Sequence, residues 1–523
     1  MSHRRKFLIV VVVALGAAIL IPIIHHYQLR AVTEAYIAEL KAKGEPMDLA
    51  QVIPSSVPPE QNSADTFRNA DELFDASFHA DKSLLETNYV YGMRMVAPGK
   101  AMIRWQQPDI RDIDGTNSWG NVTAAVVQNA KAFVLLQQII EKPTFNFQIK
   151  YEQGVANLNF TNFYLAQSKR AAQRLEAAAL CDLHRSDTIS AVKNLRAMLA
   201  LVKAMRDERL IISELVRMAI ASIALEVNWE VLQSPNLTDE QLVELQHNWA
   251  NLDFVRGEEN ALAMERAAAE ITLKKWRSSN SGLQQYFVLG RRSRELIGLP
   301  SEDESLWAKA RTTTKIFMWR YWWSYPDELR LIKSYQVFLE TTRSAEAKYS
   351  LLTAQHEQED KLRKIFIGTN NEDTFQFSDP KEADMHFILS AGVHSLGAFS
   401  RKAMRAETAK QMTITAIALK RYQLKHGNYP PNLGSLVPEF VSSIPLDPMD
   451  GQPLRYRLKA DGTFLLYSVG ENGEDDGGDP SLSQNVESSY FYWQNSRALD
   501  WVWPQPATAE EIQAYYAHQK SGK

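Results

Sequence analysis

Glycine and proline are the residues a long helix tolerates least, and their distribution divides this chain in two. Residues 427–480 hold 8 Gly and 7 Pro, or 15 of 54 positions, about 28%. The other 469 residues hold 29, about 6%. A stretch so poor in turn formers reads as a helical body, and the dense window reads as a separate turn-rich module behind it. At 45% hydrophobic and 23% charged, the 523-residue chain can bury a core, and its length fits roughly two to four domains. A net charge of −4 gives no reason to expect nucleic-acid binding. Cys181 is the single cysteine, which excludes an intramolecular disulfide framework and a multi-cysteine zinc site.

At the amino end, Phe7 to Ile24 (FLIVVVVALGAAILIPII) is an uncharged run of 18 residues. As a helix rising about 1.5 Å per residue it covers roughly 27 Å, enough for a bilayer core. Arg4, Arg5 and Lys6 precede it, whereas residues 25–39 offer only Arg30 as a cation. That asymmetry predicts a single-pass anchor in the inner (cytoplasmic) membrane, with the N-terminus inside and the bulk of the chain in the periplasm or outside. A cleaved signal peptide would end in a small-x-small site, and this run ends Pro-Ile-Ile-His-His. Residues 1–27 are therefore read as a cytoplasmic tip and uncleaved signal anchor.

Residues 28–120 read as a spacer and lead-in, with four prolines across 44–62 arguing against a helix there. The helical body is placed at 121–400. Ile189, Val192, Leu195, Leu199 and Val202 recur every three or four residues. Residues 210–232 are apolar nearly all round, yet Glu214, Arg217, Glu226 and Glu230 argue for a core helix over a second membrane span. Pro235-Asn236 breaks the chain, and Thr238 to Gln241 fits a capping box, as does Ser301 to Glu304. Cys181 to Asp187 reads as a turn between helices. Successive helical hairpins are the expected architecture.

Candidate chemistry in the body is sparse. Cys181 and His184 stand at i, i+3 and could form a nucleophile–base pair, though a short buried Cys at a helix end is the commoner case. Asp109, Asp112 and Asp114 precede Gly115 without the terminal Glu of a calcium loop, which favours a solvated turn. In the aromatic run Phe317–Tyr325, helical spacing puts Trp319, Trp322 and Trp323 on one face. That face could be a carbohydrate platform, a partner groove, a membrane-interface contact or a core seam, and tryptophan's area favours the seam. No HExxH, nucleophile elbow or phosphate-binding Gly loop is present.

The module is placed at 401–485. A helix over 405–426 ends at Gly427, then Leu454, Tyr456 and Leu458 alternate with Arg455, Arg457 and Lys459 as a strand. Asp461-Gly462 turns the chain into a partner strand, Phe464–Val469. The ordered set ALKRYQLKHGNYPPNLGSLV, IPLDPMDGQPLRY and FLLYSVGENGEDDGGD resembles the periplasmic domain of the type II secretion major pseudopilin. The resemblance covers under a fifth of the chain, about 405–485. The rest is similar only to uncharacterised membrane-anchored bacterial proteins.

The resemblance implies a small antiparallel sheet on a helix, closed by an acidic calcium loop. Ser468, Asn472, Asp475, Asp476 and Asp479 are its implied oxygen ligands, with Asn472 where the family usually has Asp. A pseudopilin carries its own membrane helix directly on this domain. Here the hydrophobic run lies some 380 residues earlier and lacks the family's Glu, so processing as a pilin is not expected. Residues 486–523 read as a C-terminal tail.

The expected fold is mainly α: an N-terminal transmembrane helix, a helical-hairpin body, then a small α+β module with a short antiparallel sheet. The expected function is that of a membrane-anchored extracytoplasmic scaffold or interaction protein, with a protein partner in the cell envelope. It could be linked to envelope or secretion assemblies and stiffened by calcium. The alternative is an extracytoplasmic hydrolase or glycan-acting enzyme using an aromatic-lined cleft. No catalytic constellation, organic cofactor or small-molecule ligand is read from the sequence.

Overall fold

A helix that is apolar on nearly every side has to be covered on nearly every side, and Ile211–Leu232 is such a helix. The computed structural model describes residues 3–75, 78, 93–112, 115–153, 163–279, 283, 306–348, 350–367, 394–482 and 498–521. In chain order its main helices are α1 (His3–Ala42), α2 (Ala64–Leu73), α3 (Trp119–Gln128), α4 (Ala130–Gln137), α5 (Phe163–His184), α6 (Thr188–Ala204) and α7 (Ile211–Leu232). There follow α8 (Asp239–Ala250), α9 (Phe254–Ser278), α10 (Leu306–Met318), α11 (Ser324–Lys348), α12 (Leu351–Ile367), α13 (His394–His426) and α14 (Ala509–Ser521). The body is mainly helical, and α7 lies at its centre against α5, α6, α9 and α13.

The helix ends follow local chemistry. Thr238 caps α8 through the Gln241 amide, and the Gln241 side chain returns to the Thr238 N–H, the expected capping box. Asp187 caps α6, so the turn from α5 shrinks to Arg185–Asp187, with Cys181 and Asp182 still helical. Gly427 ends α13 at φ +80°. The Ser301–Glu304 signal lies outside the described residues.

Residues 44–62 are not a detached spacer. Leu49–Val52 forms one helical turn, and Met47 and Val52 are buried. Within α1, the carboxyl-terminal half lies along α11, where Leu40 and Met47 enclose Ile332. Among the described residues no helix is long and apolar enough to cross a membrane. The backbone of 7–24 is helical within α1, but the side chains of 7–19 and of Pro22 lie outside the described residues. Most of the anchor expected from Phe7 to Ile24 therefore does too.

Among the described residues three small sheets accompany the helices. Met95–Ala97 (β1) and Lys100–Ala101 (β2) form a hairpin, and Ile110–Asp112 (β3) pairs with Gly115–Asn117 (β4). In the module, Arg455–Leu458 (β5) pairs antiparallel with Phe464–Ser468 (β6), as the alternation predicts, with Gly462 at φ +80° in the turn. The last residues do more than trail behind. Trp501–Val502 (β7) adds a third strand to β6, and Gln505–Pro506 (β8) joins β2.

The module is marked by composition but not by packing. Its helix α13 begins at His394 and touches α7, α8 and α9 as well as β6. One hydrophobic core runs from Val52 through Leu436, Phe464 and Leu466 to Trp503. The first amides of α12, at Leu351 and Leu352, donate to the carbonyls of Pro448 and Met449 in the module loop. The Gly/Pro boundary separates two kinds of local structure that share one interior.

Candidate functional site

Two exposed features stand out, and the first is where α1 meets the aromatic run. Trp319–Trp323 forms a π-helical turn between α10 and α11. A turn one residue wider than an α-turn changes the helical period across the three tryptophans, and Trp319 and Trp323 both reach the main core. Trp319 is fully buried, with its indole N–H donating to Asp327 at 2.9 Å and its ring edge-on to Trp276. Trp322 and Trp323 are half-buried. Phe317 and Tyr321 point outward instead, 4.7 Å apart, and Trp307 on α10 is 85% exposed.

Helix α1 docks against this turn. His26 Nδ1 lies 2.9 Å from the Tyr321 carbonyl, its ring is 5.1 Å from Tyr325, and the Thr33 hydroxyl donates to the Tyr325 carbonyl. On either side of His26, Ile21, Ile24 and Tyr27 stay open, with Ile21 65% exposed. Exposed aliphatic side chains at the end of the hydrophobic run and outward aromatics on the turn thus lie on the two elements that His26 joins.

The second feature is the acidic loop after β6. Gly473, Gly477 and Gly478 all have positive φ, and a Cβ on Gly478 would sit 2.6 Å from Leu465, so the loop closes tightly over the sheet. Its oxygens are not pooled at one point. Asp475 accepts from Tyr467 at 2.8 Å and faces Arg455 at 3.3 Å, and these partners hold its carboxyl below the usual range against the effect of burial. Asn472 donates to Asp476, and Asp479 accepts from the Ser481 amide. Ser468 is buried and donates to Asp447. Among the described residues no group of three or more His, Cys, Asp or Glu could hold a metal ion. As arranged, Asp475, Asp476 and Asp479 each engage a protein partner.

Asp447 organises this end of the molecule. Fully buried, it accepts from the Met449 amide, the Val469 amide and the Ser468 hydroxyl at 2.9–3.0 Å. Burial pushes its carboxyl up to about 6 despite those donors. Its signal in the sequence is the Asp-Pro of IPLDPMDG, which marks the motif without revealing that the carboxylate points inward.

The body buries further charge that periodicity does not register. Arg104 donates to Glu176 at 2.6 Å and Glu230 at 3.0 Å and lies 3.6 Å from Glu226. Burial opposes the Arg104 charge, but the three carboxylates outweigh it and raise its pKa. Glu45 binds Arg266 and Arg343, and these bonds with Gln336 overcome burial to bring its carboxyl to about 2. Glu208 differs: burial drives it up to about 8. Tyr164 and Ser213 lie close enough to favour its charge, yet neither its carboxylate oxygens nor their hydroxyls complete a hydrogen bond. The next residue, Arg209, holds a left-handed φ of 54°.

Cys181 and His184 are not a catalytic pair. The thiol is buried, and that burial pushes it up to about 11. His184 turns outward to the Trp105 carbonyl and stacks on Trp119 at 4.2 Å. Asp114 lies outside the described residues. The chain matches no family, no curated protein and no solved structure.

Proposed function

We propose that the protein is a single-pass, membrane-anchored scaffold or interaction protein of the cell envelope, with its N-terminus inside and its bulk outside the cytoplasm. The observation that carries this reading is the junction of α1 with the π-helical turn. There His26 and Thr33 dock on the carbonyls of Tyr321 and Tyr325, while Ile21, Ile24 and Tyr27 near the end of an uncharged run of 18 residues, and Phe317 and Tyr321 across from them, stay exposed. Amphipathic rings beside the end of an apolar span suit the headgroup layer. The glycan-acting alternative needed tryptophans open beside a cleft, and Trp319 is instead sealed against Trp276 and Asp327.

The full chain should stay with membranes through carbonate washing, and a chain lacking residues 1–27 should not. Protease added to spheroplasts should remove all but a short amino-terminal fragment. Release of the full chain by carbonate would overturn the anchor, and protection of the bulk would overturn the orientation.

The resemblance of 405–485 to a pseudopilin domain supports a partner in secretion or envelope assembly. Calcium belongs to this reading only as a ligand that draws Asp475 away from Arg455. A melt of the protein raised by millimolar calcium over EDTA, and not raised in Asp475→Ala, would support it, and coincident melts would remove it.

A further inference from the structure

The module sheet has the order β5-β6-β7, which leaves β5 at an edge. The Lys459 amide donates to the Thr463 carbonyl, which makes 459 and 463 a hydrogen-bonded pair of the antiparallel ladder. Alternation along the register then directs the backbone groups of 457 and 455 to β6, and those of 458, 456 and 454 away from it. Leu454 agrees, since its outward amide donates to the Pro445 carbonyl. Tyr456 and Leu458 thus present backbone donors and acceptors along an open strand edge.

Side chains define what that edge would accept. Tyr456 turns inward, donating from its hydroxyl to the Pro430 carbonyl, so Arg455, Arg457 and Lys459 lie on the other face. Arg455 is engaged by Asp450 and Asp475. Among the described residues Arg457 and Lys459 form no salt bridge, and Lys459 has only the nearby charge of Asp461 in the turn. An open groove of about 540 Å³ adjoins the strand, and Arg455, Arg457, Leu465 and Tyr467 are among its lining residues.

We propose that β5 binds an extended acidic segment of a partner protein by strand addition, with backbone bonds to Tyr456 and Leu458 and carboxylates opposite Arg457 and Lys459. Backbone pairing supplies the register, and alternate side chains supply the choice of partner. Cations on an edge strand deter neutral and basic strands from pairing there. The same cations make an acidic strand acceptable, and charge is what separates this occupant from others. The site is independent of the membrane anchor, so its failure would leave the anchored reading standing.

Binding is measured by fluorescence anisotropy with the full chain in detergent at low salt. The probe is a labelled eight-residue peptide alternating Glu with Val, and the comparison peptide has Gln in place of Glu. The Glu peptide should bind saturably and at least tenfold more tightly than the Gln peptide. Leu458→Pro removes an N–H that faces away from β6, so it should abolish binding while hydrogen exchange across β6 stays unchanged. Arg457→Glu should weaken the Glu peptide at least tenfold and favour a Lys–Val peptide. Equal binding of the Glu and Gln peptides, or full binding to Leu458→Pro, would overturn the proposal. Absence of binding by any peptide would assign Arg457 and Lys459 to edge protection and overturn it too.

Discussion

Glu208 offers the sharpest test of how charge is buried in the helical body. The residue is 3% exposed, its carboxyl carries no completed hydrogen bond, and burial pushes that carboxyl up to about 8 from an ordinary 4.5. Because the folded value is raised, the proton this group keeps stabilises the fold fully below about pH 4.5. That stabilisation is lost as pH rises through about 8. Between pH 5.5 and 8.5 the unfolded carboxyl is already ionised and the folded one resists for most of the interval. At about 1.4 kcal/mol per pH unit, the wild-type fold should lose about 3 kcal/mol from this group alone.

Glu208→Gln keeps the shape and removes the titration. Urea unfolding followed by tryptophan fluorescence, at both pH values, should show the variant gaining about 3 kcal/mol on the wild type between them. Glu258 and Glu265, which burial also raises to about 7, titrate in both proteins and cancel in that difference. A stability gap that stays constant within about 1 kcal/mol would refute the argument, for it would mean that water or a rearranged Ser213 or Tyr164 already solvates the charge.

Gly257→Ala should destabilise α9, although helix propensity alone favours alanine by about 1 kcal/mol. The new Cβ would stand 2.5 Å from Glu214 Oε2 and 2.6 Å from Arg217 Nη1, a fully buried pair whose disruption costs about 3–5 kcal/mol, and a raised urea midpoint would contradict this. Asp447→Ala strands two buried amides and should lower hydrogen-exchange protection across β6 by roughly a hundredfold or more, about 3 kcal/mol. Asp450→Ala, which removes a partly exposed partner of Arg455, should change it by less than about tenfold. Glu45 is depressed to about 2, so its contribution is present above about pH 4.5 and is lost as pH falls through 2. Hydrogen-exchange protection factors of residues 40–47, taken relative to the intrinsic rate at each pH, should accordingly fall at pH 2.5, and Glu45→Gln should bring a like fall at pH 7.

The elements were legible where a short-range rule decides them. The Thr238 cap, the all-round apolar α7, the cap at Gly427 and the β5–β6 register each follow from residues within a few positions of one another. The π-helical turn that holds Trp319, Trp322 and Trp323 was not legible, because it changes the period over only five residues and no composition signal marks it. The β7 strand was unreadable for another reason: its two residues are too few to show alternation, and its partner β6 lies more than thirty positions earlier.

The buried ion pairs were illegible because their partners are distant in sequence, and their placement explains why they exist. Glu176, Glu226 and Glu230 look like ordinary charges on amphipathic helices until Arg104, more than seventy residues away, inserts among them. Glu45 does the converse, reaching Arg266 and Arg343 from the stretch just after α1. In both cases a segment between 28 and 120 is tied to the body by charge as well as by the buried apolar residues it contributes, Val52, Phe67 and Met95 among them. An apolar contact at those points would tolerate sliding by a residue or more. A carboxylate–guanidinium fork does not, since displacement leaves a buried charge without its partner. The register of this lead-in on the body is therefore fixed by ion pairs as well as by hydrophobic burial.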